Sequence, residues 1–316
     1  MSSQYKRIDY MGQGVNGNNI QKLLTVFTPT YNRAYCLDRG YEALKRQTCK
    51  DFVWLIVDDG STDNTAELVK SWQEADNDFE IRYVYKENGG LYTGYTTAFK
   101  YIETELCVCV DSDDYLTDNA VELIRDCWKK RGSDAVAGIL GLDCTMDGQV
   151  IGDLLPDQDT INLIDIHIGK YFFQNGDRKN VVRSELYRRY MKFEEVNGEK
   201  DYNPHFLHLA ISKDYDFLVL NEKLCVVEYQ PGGMTATVFK QYLRSPKSFR
   251  IMRQMELSLP GRLPFLIKKT IHYDSSCILS GEPCLSGTPH KLLAVLCWPL
   301  GRLFTMYLKW KLKRDS

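Results

Sequence analysis

Short apolar runs alternate along the first half of the chain with segments of helical periodicity. Leu23–Thr28 (LLTVFT), Phe52–Val57 (FVWLIV), Ile81–Tyr85 and Leu106–Val110 (LCVCV) are each four to six residues long and almost unbroken by polar positions. Runs of that kind are expected of strands covered on both faces. Between them, Tyr35–Arg46 places Leu37, Tyr41 and Leu44 on one helical face. Asp63 or Asn64 opens a second helix that runs through Trp72, Tyr92–Ile102 forms a third, and Asp118 opens a fourth over Asn119–Lys130. Ala135–Leu142 is a further strand, and Leu218–Tyr229 (LVLNEKLCVVEY) reads as a pair of strands. Four strand–helix alternations in succession predict an α/β fold built on a parallel sheet.

Polar punctuation recurs where each early strand stops: Thr28–Arg33, Asp58–Asp63, Asn88–Gly90 and Asp111–Asp114. In open α/β sheets ligands bind outside the carboxyl ends of the strands, so four such loops would share one cleft. The last of them, Asp111-Ser112-Asp113-Asp114, sets three carboxylates at the end of an apolar strand. Unpaired carboxylates there are costly, and hard divalent cations take oxygen ligands, which points to Mg²⁺ or Mn²⁺.

The 316 residues carry a net charge of −2, which argues against bulk nucleic-acid binding. That balance conceals an asymmetry. Residues 240–316 hold 14 Lys and Arg against 4 Asp and Glu, leaving −12 on the remainder. The 10 cysteines form no CxxC pair and fall mostly in apolar runs, as reduced core thiols in a cytosolic protein do. Met1–Gln21 is polar and without periodicity, and is expected to be a flexible leader rather than a signal peptide. Leu292–Leu300 is apolar but too short to cross a bilayer, with Pro299, Gly301 and Arg302 expected to interrupt any longer span. The following LFTMYLKWKLKR mixes apolar and cationic residues as an interfacial helix on an anionic membrane does.

TPTYNR at Thr28–Arg33, VDDGSTDNT at Val57–Thr65, ENGG at Glu87–Gly90 and DSDD at Asp111–Asp114 together resemble the family 2 glycosyltransferases. The resemblance covers roughly residues 22–230. It implies the GT-A fold, a Rossmann-like nucleotide-binding mixed sheet flanked by helices, over 22–240, with 241–316 as a basic amphipathic, membrane-associating extension. It also implies a UDP-sugar donor, a divalent metal, and a glycan or lipid-linked saccharide acceptor in a surface-polysaccharide pathway, on the inner face of the cell membrane.

By the same resemblance Asp58, with Asp59 beside it, would accept from the uracil. Thr28, Pro29 and Tyr31 would line the base and ribose, and Arg33 would reach a phosphate or the base. Asn88, Gly89 and Gly90 would let the backbone approach the nucleotide. Asp113 would be the direct metal ligand, with Asp111 and Ser112 beside it at the ribose or metal. The residues after the glycines depart from the family's common Lys-His: here they are Leu91 and Tyr92. The general base of an inverting transfer falls in Glu194–Ser212, where His205, Glu199 and Asp201 are all candidates. Gln230–Thr235 resembles the family's closing loop. Two other readings are a non-catalytic nucleotide-sugar-binding subunit and a sugar nucleotidyltransferase. The latter is expected to carry a Gly-rich basic loop after the first strand, which TPTYNR is not.

Overall fold

The computed structural model describes residues 22–171, 176–191, 196, 198–228 and 237–314. The expected leader and the Gln230–Thr235 loop lie outside them. Two compact units interleave along the chain.

The first unit is built on one sheet. β1 (Leu24–Thr30) and β2 (Phe52–Asp58) are each seven residues long and buried throughout. They run parallel and level, from Leu24 opposite Phe52 to Thr30 opposite Asp58. β3 (Glu80–Tyr85) continues the parallel order beyond β2, and β4 (Leu106–Cys109) lies on the other side of β1. The order is therefore β3-β2-β1-β4, and the chain changes direction across the sheet at β1. Crevices form where strand order switches in this way.

Helices α1 (Ala34–Arg46), α2 (Thr65–Glu74), α3 (Leu91–Tyr101) and α4 (Ala120–Arg131) connect and cover these strands. Successive strand residues point to opposite faces. Val26 and Trp54 accordingly pack with Leu37 and Tyr41 of α1, Val69 of α2 and Ile124 of α4, while Phe27 meets Tyr95 and Phe99 of α3 edge-on.

Beyond β4 the sheet is mixed rather than parallel. β5 (Tyr115–Leu116), β6 (Val136–Cys144) and β7 (Thr160–Ile161) precede α5 (Leu163–His167), β8 (Arg178–Arg183) and α6 (Ser184–Tyr190). β8 enters between β4 and β6, antiparallel to both. After α7 (His205–Ile211), β9 (Asp216–Val226) is one eleven-residue strand, where a strand pair was expected. Irregularities in its pairing with β6, near Gly138 and Leu142, absorb the polar Asn221–Lys223 stretch so that the chain keeps going instead of turning.

The second unit contains α8 (Val238–Arg244), α9 (Pro246–Leu257), α10 (Leu263–Ser280) and α11 (Lys291–Arg314), together with 164–171 and 198–209. α11 corrects a second expectation: the apolar run is not cut short, and the helix continues for 24 residues with Pro299 inside it. Pro299 is exposed, and the turns around it are held from the other side by α10. There Gly301 lies against Asp274, and Thr305 shares a hydrogen bond of 2.8 Å with Ser275. By length and composition α11 could cross a membrane.

Trp54 anchors the rim from below, packed beside the stacked Tyr41–Trp72 pair with its indole N–H donating to Thr28 Oγ1 at 3.0 Å. Trp54→Ala should lower the unfolding free energy by about 3–5 kcal/mol in urea titrations.

Candidate active site

β2 ends at Asp58 and Asp59 follows it, both buried. Asp59 Oδ1 accepts from Gly89 N at 2.9 Å and pairs with the Lys86 ammonium; Oδ2 accepts from Gly90 N at 2.8 Å and Asn88 Nδ2 at 3.1 Å. One carboxylate thus gathers the loop that leads from β3 into α3. Gly60 has φ +85°, and a Cβ there would lie 2.8 Å from the Asn88 nitrogen, so the two loops touch backbone to backbone. Asp58 is equally committed: Oδ1 accepts from Ser61 N at 2.7 Å, and Oδ2 from the Tyr83 hydroxyl at 2.5 Å.

The loop after β1 is tied to the same place. Asn32 has a left-handed backbone, φ 52°, of the kind Asn tolerates better than most residues. Its N–H donates to Ser61 Oγ at 2.8 Å and its Oδ1 accepts from Thr62 N at 2.8 Å. Asp63 accepts from Ala34 N at 3.1 Å and from the Thr65 hydroxyl and N–H, so Asp63, rather than Asn64, makes the capping contact at the start of α2. Burial pushes the Asp63 carboxyl up, but these hydrogen bonds outweigh it and hold it below the ordinary carboxylate value.

Tyr31 is half exposed, and Arg33 lies over the ring of the exposed Tyr35. Pro29 belongs to the buried run of β1. Thr28 turns inward to Trp54. With Leu37, Trp54, Asp111, Ser112 and Asp114 it lines a small hollow beneath the loops.

The fourth loop carries the acidic cluster. Asp111 is exposed, Asp113 is partly exposed, and Ser112 and Asp114 are buried. Asp114 Oδ1 accepts from Glu228 N at 3.1 Å. A buried lysine, Lys179 of β8, faces the cluster and lies 3.8 Å from the buried Asp143 of β6. Burial lifts Asp114 to about 8 and Asp143 to about 6, with Lys179 opposing and the neighbouring aspartates adding to the rise. Asp111 is raised too, by the dense packing around the strand end and then by Asp113, again against Lys179.

Among the described residues these carboxylates therefore outnumber the cations that oppose them, Lys179 and, at Asp143, Arg178, and the Asp113 carboxylate has no hydrogen-bond partner among those residues. This donor set fits a hard divalent ion. Among the described residues no three His, Cys, Asp or Glu side chains converge as a complete ligand cage. That suits Mg²⁺, which keeps waters and substrate phosphates as ligands and needs only one or two carboxylates.

The three base candidates lie in the second unit. Asp201 accepts a two-pronged contact from Arg244, at 2.7 Å from Nε, and another from Ser245 Oγ at 2.7 Å. Glu199 accepts from the Lys247 and Ser248 N–H groups at 3.0 and 2.6 Å, at the start of α9. His205 opens α7, its ring 5.5 Å from that of His167 and 6.4 Å from that of His208. Burial, and then the neighbouring histidine, lower His205 to about 4 and His208 to about 3.

Several participants were not singled out in the sequence. Lys86 was findable, because it directly precedes the ENGG motif. Tyr83, Lys179 and Asp143 gave no local signal, since only the sheet pairing brings them to the rim.

The sequence profile described as Glycosyl transferase family 2 matches residues 25–206. Hyaluronan synthase from Pasteurella multocida is 27% identical over 225 residues, which is 64% of this chain; the chain spans only 23% of that protein. Among solved structures, residues 1–349 of Staphylococcus aureus TarS in complex with UDP-GlcNAc superpose with a TM-score of 0.59 at 15% identity, over 93% of this chain and 92% of that one. The mannosyltransferase PcManGT from Pyrobaculum calidifontis, in complex with GDP-Man and Mn²⁺, gives 0.52 at 17% identity, over 91% and 84%.

Removing the Asp59 carboxylate strands Lys86 and frees three donors of the glycine loop. Asp59→Ala should cost about 3–5 kcal/mol of stability. Hydrogen exchange should show the Gly89 and Gly90 amides losing protection before the rest of the sheet. A separate outcome concerns pH. His205 and His208 stay neutral in the native chain, whereas in the unfolded chain each binds a proton near pH 6.5. Stability present above pH 6.5 should therefore be lost as pH falls toward 4, by about 1–3 kcal/mol per histidine. His205→Gln should flatten that slope in thermal melts.

Proposed function

This chain belongs to glycosyl transferase family 2, and on that premise we propose that it moves a sugar from a UDP-sugar to a hydroxyl of a glycan or lipid-linked saccharide acceptor, with inversion at the anomeric carbon. The observation that carries this reading is the interlock of three loops at one sheet rim, through Asn32, Asp58, Asp59 and Asp63, with Asp111 and Asp113 two strands away. Neighbouring strands are about 4.8 Å apart, so the Asp58 and Asp113 loops flank β1 at a separation suited to a nucleoside diphosphate. The UDP-GlcNAc bound by the TarS neighbour and the synthase name of the Pasteurella relative support a UDP-linked donor and a surface-polysaccharide product.

In this reading each group has a physical task. Asp58 accepts from the uracil N3–H, a role suited to an acceptor-only carboxylate already oriented by Ser61 and Tyr83. Gly89 and Gly90, pinned by Asp59, let the backbone approach the donor without a Cβ in the way. Tyr31 and Arg33 cover the nucleotide from the β1 side. Asp113, with Asp111 and Ser112 beside it, would hold Mg²⁺ or Mn²⁺, and a bound ion would supply Lewis-acid compensation for the negative charge of the diphosphate. Lys179 offsets the mutual repulsion of these aspartates.

Among the base candidates we favour His205. Glu199 and Asp201 are each committed to contacts that stabilise their charge, whereas the neutral imidazole retains a lone pair for the acceptor proton. The transferase acts from the inner face of the cell membrane, with 241–316 as its docking extension. A second reading, a nucleotide-sugar-binding subunit without catalysis, is favoured by the low basicity of His205.

A calorimetric panel of UDP-, GDP- and dTDP-sugars with Mn²⁺ should show binding for UDP-sugars alone. Asp113→Ala should reduce transfer about a hundredfold or more and abolish the Mn²⁺ dependence of binding. Full transfer by that variant would sink the metal assignment. Donor binding without transfer or hydrolysis, for every acceptor tried, would favour the second reading. His205→Gln should lower kcat with little change in donor KM.

A further inference from the structure

α11 presents two faces of opposite character. Ala294, Cys297, Gly301, Thr305 and Leu308 are buried, and the helix packs along α10. The opposite face is apolar and open: Leu292 is 74% exposed, Leu296 67%, Leu303 59%, Met306 66% and Trp310 54%. At about 100° per residue, every position from Leu292 to Trp310 within an arc of about 140° on that side is apolar, including Val295, Pro299 and Tyr307. The stripe is about 27 Å long at 1.5 Å per residue.

Its border is charged with one sign only. Lys291, Arg302, Lys309 and Lys313 recur at spacings of 11, 7 and 4 residues, which stack them in one row along an edge of the stripe. No Asp or Glu occurs anywhere in α11. A long apolar stripe beside a cationic row suits a helix lying in a headgroup region, with its apolar side in the acyl boundary and its cations on anionic lipid.

We infer that α11 lies in the plane of an anionic bilayer rather than across it, and that the Lys291–Arg302–Lys309–Lys313 row binds the lipid headgroups. This deepens the peripheral placement proposed above and does not depend on the transfer reaction. Three observations favour the in-plane position over a span. Half of α11 is occupied by α10, which carries Lys268, Lys269 and His272 and would have to follow it into the hydrocarbon. Arg302 sits at the helix midpoint, exposed, where a spanning position would put its charge in the hydrocarbon centre. The one-sided cationic row has a use at an interface and none in a span. A second copy of the chain is a poorer occupant, because α11 offers no acidic residue to meet another copy's cations.

The test uses the full chain with vesicles of phosphatidylcholine alone or mixed equally with phosphatidylglycerol, without donor or acceptor. The protein should sediment with the mixed vesicles at low salt and be released by high salt or alkaline carbonate. Arg302→Glu with Lys309→Glu should weaken that binding about tenfold or more, at roughly 1 kcal/mol per cation near the surface. Leu296→Glu with Leu303→Glu should abolish it. All four side chains are exposed, so thermal midpoints should not move. Retention on the vesicles after carbonate would overturn the in-plane position while leaving membrane association intact. Equal binding to neutral vesicles, or none to either, would overturn the lipid assignment. If the leucine variants convert a dimer to a monomer while vesicle binding persists, the stripe is an interface between copies and the inference fails. Loss of transfer with vesicle binding intact would count against the enzyme reading alone.

Discussion

Asp59 is buried at the end of β2, and the Gly89 and Gly90 amides, the Asn88 side chain and the Lys86 ammonium all close on its two oxygens. A carboxylate in such a place is tolerable only because every lone pair facing the protein is used. The consequence is geometric. The glycine amides of the loop between β3 and α3 are fixed relative to β2, and through Asn32 and Asp63 the β1 loop is tied to the loop that follows β2. Three separate loops are joined into one rim by side-chain acceptors, Asp58 and Asp59 buried, Asn32 and Asp63 nearer the surface.

The neighbouring acidic cluster follows the opposite logic. There the carboxylates outnumber their partners. Lys179 is a buried cation facing Asp143, Asp114 and Asp111, yet burial still raises Asp143 and Asp114, and the exposed Asp111 is raised as well by the packing around the strand end and by Asp113. Added positive charge would relieve that imbalance. The rim thus pairs a saturated half, which sets shape, with an unsaturated half, where the carboxylates exceed the buried cation.

In the second unit a saturated acid also does structural work. Glu256 of α9 is 1% exposed and accepts from His167 Nε2 at 2.8 Å, from Arg253 at 2.6 Å and from the Lys269 ammonium. Burial alone would raise its carboxyl, but these three donors hold it far below the ordinary value. The contacts join α5, α9 and α10, while α11 is attached to α10 by small residues, one hydroxyl pair and the stacking of Phe304 on His272, and to α8 through Tyr307 and Phe239. The exposed leucines and Met306 of α11 take no part in these contacts.

Local pattern alone determined a large part of this protein. The parallel β1–β4 half, its four covering helices and the position of every rim loop follow from apolar runs and punctuation, because each strand and helix there is set by burial of a contiguous stretch. The motif residues fall at the strand ends for the same reason. Tertiary structure decided what depends on distant pairing. β8 enters antiparallel beside β4, setting Val182 against Cys107, and that placement alone brings Lys179 under Asp111 and Asp114. Thr28, expected at the donor, turns its hydroxyl to Trp54 because β1 and β2 are level. β9 runs on as one strand because β6 offers it an irregular partner, and α11 continues through Pro299 because α10 supports the turns around it. A sequence records which residues avoid water, but which buried charge meets which is fixed only when strands far apart in the chain come to lie side by side.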